Sequence, residues 1–150
     1  MNALQAAHAA LAAVLERVFP EAPPVRNPNG HQPPRLKGSD LLAAYVALDD
    51  DEEPEVLAIM TGPVFDLKLA PRVTFAFVGR DKQARLDAAW LCVGALKAAL
   101  AADRTLGGAV QYAELQPPTQ TQTTGGANDW LAGGLEIPVT LLVTATSAAG

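Results

Sequence analysis

The stretch from Pro71 to Leu100 constrains this chain more than any other, because it reads as a strand followed directly by a helix. From Val73 the residues alternate: Val73, Phe75 and Phe77 face one way and Arg72, Thr74 and Ala76 the other. That is the two-residue period of a half-buried strand. Gly79 and Arg80 end it, and Asp81 is placed to cap a helix on which Leu86, Ala89, Trp90, Val93, Leu96 and Leu100 recur at helical spacing. The spacing predicts that the Trp90 stripe lies across a sheet carrying Val73, Phe75 and Phe77. Lys82, Arg85, Asp87 and Lys97 are expected on the outward side.

A chain of 150 residues is the size of one domain, 1–150, and a domain of that length hides roughly 70% of its unfolded surface. Hydrophobic residues make up 49%, but alanine swells that share and aromatics are only 5%, so the core must be built from Leu, Val and Ala. The net charge of −5 argues against a nucleic-acid surface, whose affinity comes from Lys and Arg neutralising phosphates. No apolar run reaches the length needed to span a bilayer, so no membrane partner is expected. Cys92 is the single cysteine and falls near the apolar side of the central helix, which reads as packing and suits a reducing compartment. The N-terminus lacks the basic start and separate apolar block of a secretory leader.

In chain order, Leu4, Ala7, His8, Leu11, Leu15 and Val18 predict an alanine-rich helix stopped by Phe19 and Pro20. Half of the 12 prolines then crowd into Pro20 to Pro34, so residues 20–38 are expected to be an extended connector or an arm to a neighbour. Leu41 to Leu48, Val56 to Met60, Val64 to Leu69, Val110 to Leu115 and Leu135 to Val143 read as strands. Pro138 donates no hydrogen bond, which predicts a free edge beside it. Residues 116–134, rich in Thr, Gln, Pro and Gly, are expected to be a long flexible loop. The class predicted is α+β: an antiparallel or mixed sheet meander with an N-terminal helix and one central amphipathic helix packed on one face.

The acidic run, with Asp50, Asp51, Glu52 and Glu53, lacks the spaced ligands of a calcium loop and reads as a solvated turn or a docking point for a basic partner. His8, His31 and Cys92 show no spacing that pairs a thiol with a base, and Glu114, Asp129 and Glu136 none that pairs two carboxylates. The glycine pairs are not followed by the Lys-Ser or Lys-Thr of a phosphate loop. No catalytic residue, metal or cofactor is therefore expected. Trp130, isolated among polar residues, is either tucked onto its own domain or kept as an anchor for another subunit.

The stretch Ala102-Asp103-Arg104-Thr105-Leu106-Gly107-Gly108-Ala109-Val110, followed by Tyr112 and Glu114, resembles the Leu-Gly-Gly step that leads from helix to strand in the tail terminator (minor tail protein) family of long-tailed phages and prophages. The element order is similar over most of the chain. The resemblance implies a non-enzymatic α+β subunit that forms a ring, often sixfold, on the head-proximal end of the tail tube. Its partners would be copies of itself, the tube protein and the head–tail connector, in the virion tail and, before assembly, in the host cytoplasm. In such a ring the acidic tip of one subunit would meet Arg26, Arg35 and Lys37 of the next, charge blocks expected at opposite ends of the first strand. Two other readings are a small cytoplasmic enzyme of acyl-group transferase type, with a pocket between helix and sheet, and an adaptor for a tail-like secretion machine.

Overall fold

The computed structural model describes residues 2–20, 24–26, 43–49, 54–60, 64–78, 81–125 and 130–145. Helix α1 spans Ala3–Val18 and helix α2 spans Lys82–Ala102. The strands are β1 (Val25–Arg26), β2 (Ala43–Asp49), β3 (Glu55–Met60), β4 (Val64–Leu69), β5 (Arg72–Val78), β6 (Tyr112–Leu115), β7 (Thr119–Gly125) and β8 (Trp130–Ala145). The fold is α+β, with an N-terminal helix and a central helix against one sheet.

Local chemistry sets the helix ends. Asn2 opens α1 with a reciprocal cap: its Oδ1 accepts from the Gln5 backbone at 2.8 Å and Gln5 Oε1 accepts from the Asn2 backbone at 3.0 Å. Asp81 caps α2 as its position predicts, accepting from the backbone N–H of Gln83 at 3.0 Å and Ala84 at 3.4 Å. After α2 the chain turns through Leu106, Gly107 and Gly108, all with positive φ. That turn is held from within, since Gly107 N donates to Asp103 Oδ2 at 2.8 Å and Val110 N to the Thr105 carbonyl at 3.1 Å.

The sheet is organised around β8. One half of β8 pairs with β5 (Arg72 opposite Pro138, Val78 opposite Ala132) and with β7 on its other side. The other half pairs with β4 (Leu69 opposite Leu141, Phe65 opposite Ala145) and with β6. The order runs β1-β2-β5-β8-β4-β3, with β6 and β7 both on β8 and one parallel pair, β1 with β2. Neighbours in sequence pair in β3–β4 and β7–β8, whereas β2 pairs with β5.

Pro138 is thus inside the sheet and not beside a free edge. Its carbonyl accepts from Gln116 N at 2.8 Å, and a strand residue's N–H and C=O point to the same neighbour. The missing donor therefore faces the place where β6 gives way to β7, at Gln116, Pro117 and Pro118, and no ladder bond is lost. On the opposite side β4 gives way to β5 at Pro71, whose carbonyl accepts from Val139 at 2.8 Å. Pro71 between β4 and β5, Pro117 and Pro118 between β6 and β7, and Pro138 in β8 thus lie near one another across the sheet, where its two halves meet.

Residues 116–134, expected to be a loop, are mostly two arms of a hairpin. β7 and the start of β8 pair from Thr119 opposite Glu136 to Gly125 opposite Trp130, and residues 126–129 lie outside the described ones. Threonine favours strands, but Thr-Gln alternation has no apolar face, so hydrophobic periodicity could not find β7. In the expected connector, Val25 and Arg26 pair with Ala47 and Leu48; residues 27–42 lie outside the described ones.

The core is a single layer between sheet and helices. Val73, Phe75, Leu135, Ile137, Val139 and Leu141 are buried under Leu11 and Leu15 of α1 and Ala89, Leu96 and Leu100 of α2. Here the structure corrects the expected orientation of α2. Its buried face carries Arg85, Ala89, Val93, Leu96 and Leu100, while Trp90 is 51% exposed. The stripe Ala89-Val93-Leu96-Leu100 takes the sheet, and Trp90, one residue on from Ala89, is turned about 100° away. Arg85 lies one turn before Ala89 on the same stripe and is buried with it, its long aliphatic stem able to line apolar surface. It is not left without a partner there.

Candidate functional site

The chemistry-bearing residues do not converge among the described residues. Cys92 sits half-buried on the flank of α2, and burial pushes its thiol pKa up from the ordinary value. A desolvated thiol keeps its proton and is a poor nucleophile. Alkylation of folded Cys92 should therefore be slower than that of the urea-unfolded chain, with a rate that still rises with pH above 9.0. The sign of the linkage follows: the unfolded chain gives up this proton first, so the group's contribution to stability is complete below the unfolded pKa and declines as pH passes it. A fast-reacting Cys92 at neutral pH would contradict this reading. His8 lies on α1, away from Cys92 in sequence and element, and His31 is outside the described residues.

On the sheet face opposite the helices several polar groups meet in cross-strand pairs. Arg72 and Glu136 form an ion pair at 3.9 Å. Gln116 Nε2 donates to Thr140 Oγ1 at 2.9 Å, Thr144 Oγ1 donates to Asp66 Oδ1 at 3.3 Å, and Gln111 Nε2 donates to Thr144 Oγ1. Glu114 is exposed on β6, opposite Thr140, and not beside Glu136. Among the described residues there is no group of three or more His, Cys, Asp or Glu that could hold a metal ion. Nor is any helix among them long and apolar enough to cross a membrane.

Of the residues singled out for assembly, Asp50, Asp51, Glu52, Glu53, Arg35 and Lys37 lie outside the described residues. Arg26 is in β1, paired with Leu48. That places it at the end of β2 from which the acidic run departs, and not at the opposite end as expected. Trp130 opens β8, opposite Gly125, so it belongs to a hairpin arm and not to a loop.

Sequence periodicity missed four residues that are unusual for their exposure. Val56 and Leu57 on β3 are 44% and 49% exposed, and Trp90 and Leu91 on α2 are 51% and 77% exposed. Between Leu86 and Ala102 only Asp87 and Lys97 are charged, so once the inner stripe is assigned α2 has little polar surface left to show water. That excess was readable in the sequence. On β3, an outer strand, the two lie at a bulge: Leu57 is the extra residue between Val56, opposite Leu67, and Ala58, opposite Asp66. Compared with family models and with curated protein sequences, the chain matches none.

Proposed function

We propose that this chain is a non-enzymatic subunit of a phage or prophage tail, which forms a ring on the head-proximal end of the tail tube and joins it to the head connector. The observation that carries the reading is the pair Trp90 and Leu91, held outward on the surface of a well-packed helix. Large apolar side chains grouped on a surface mark a contact with another macromolecule. The order of elements supports it as well: an N-terminal helix, strands, a central helix, then the Leu106-Gly107-Gly108 turn into β6 and a long terminal strand. So does the sheet, whose outer strands β3 and β7 each pair on one side only among the described residues. Edges of that kind are usually covered by a partner or blunted.

In this reading the ring halts tube growth and presents a surface to the connector, and the chain performs no chemistry. Electron microscopy of tail tubes mixed with gold-labelled chain tests it. Label is expected at one end of each tube. Label along the tube wall, or none on tubes, would contradict the reading.

A further inference from the structure

A closed ring joins two unlike surfaces of each subunit, since its contacts run head to tail. The exposed large hydrophobics divide in that way: Trp90 and Leu91 on α2, and Val56 and Leu57 on β3. These elements are far apart in the sheet order, because β3 is the outermost strand beyond β4 whereas α2 packs over β5, β6 and β8. We infer that the outward face of α2 on one copy of this chain receives the β3 edge of the next copy, with Leu57 and Val56 set against Leu91 and Trp90.

Shape and charge both favour a second copy as the occupant. On α2, Gly94 follows Leu91 by one turn, and a side chain there would meet nothing within 4 Å. Ala95 and Ala98 continue this exposed surface, so a low floor lies beside the Trp90 and Leu91 ridge. The β3 bulge supplies what such a floor lacks, two consecutive exposed apolar side chains on an outer strand. Exposed Glu55 precedes them, and exposed Lys97 lies two turns beyond Trp90 on the same flank of α2. Asp87, the other charged group on this part of α2, keeps its charge and accepts from Gln83 Nε2 at 2.7 Å, and Lys97 is the cation that this flank offers to Glu55. Among the described residues β3 pairs on one side only; an edge strand of that kind invites uncontrolled pairing, and a helix face seated against it would prevent that.

The contact deepens the ring reading and depends on it only for closure of the assembly. Sedimentation velocity of the whole chain tests it with the variants Leu91→Asp, Leu57→Asp, Glu55→Lys, Lys97→Glu and the double variant Glu55→Lys with Lys97→Glu. All these side chains are exposed, so circular dichroism and melting temperature should match the parent. Each aspartate variant should weaken self-association about 30-fold or more, each charge reversal about tenfold, and the double reversal should recover most of that loss. A parent chain that remains a monomer overturns the inference. So does a Leu91→Asp variant that dissociates while Leu57→Asp does not, the result expected if α2 pairs with α2 about a two-fold axis. Failure of the tail reading looks different: the parent then assembles, the variants behave as stated, and tubes are ignored.

Discussion

Gly134→Ala is expected to destabilise the fold by about 3 kcal/mol, and Gly134→Val to prevent it from folding. A Cβ at position 134 would fall on the carbonyl oxygen of Phe75, with the carbonyl carbon at 2.9 Å and Ala76 Cα at 3.2 Å. All three are backbone atoms of the neighbouring strand, so no rotamer change relieves the clash. β5 and β8 would have to separate where their pairing runs through Phe75 opposite Leu135 and Ala76 opposite Gly134. Phe75 and Leu135 are core residues, so the separation also opens the layer beneath the helices. In thermal unfolding the midpoint should fall by about 10 °C. Gly94→Ala provides the contrast, since its methyl meets open space in the middle of a helix. It should raise monomer stability by about 0.5–1 kcal/mol. A neutral Gly134→Ala would mean that β5 and β8 do not approach each other as described.

Phe75→Ala should cost about 4 kcal/mol. The ring is fully buried on the helix-facing side of β5 and meets the Phe19 ring with centroids 5.0 Å apart and planes tilted by 57°. Phe19 directly follows α1, so this ring pair fastens the end of the helix to the centre of the molecule. Truncating Phe75 leaves a cavity that Leu and Ala neighbours are too small or too constrained to fill. Phe19→Ala should cost less, about 2 kcal/mol, because Phe19 is only half-buried. The two changes should be non-additive by about 1 kcal/mol in a double-mutant cycle of urea unfolding. Additive costs would show that the rings do not support each other.

These expectations rest on features that the amino-acid pattern revealed unequally. The strand from Arg72 to Val78, the Asp81 cap and the alternation in β8 from Leu135 to Val143 were legible, because apolar periodicity or a specific capping residue marks each. β7 was not legible: its Thr and Gln residues are placed by pairing with β8, and a strand held by backbone bonds at an edge needs no apolar face. Pro138 misled for a related reason. A proline is excluded from an inner strand only when its absent donor faces a paired neighbour, and here it faces the break between β6 and β7. For α2 the helical period was clear but its phase was not. With apolar residues around most of the helix, Trp90 and Ala89 were both candidates for the inner stripe, and the sheet selects the smaller residue. The exposure of Trp90 follows from this choice.

The central claim is that this chain acts by assembling, on itself and on the end of a tube, and the length of tail tubes tests it most directly. Purified tube protein is polymerised with increasing amounts of the chain, and tube lengths are measured by electron microscopy. The account predicts tubes that shorten as the ratio of chain to tube protein rises, each closed at one end by a ring. A length distribution that does not change with that ratio, at concentrations where the chain is assembled, would contradict it.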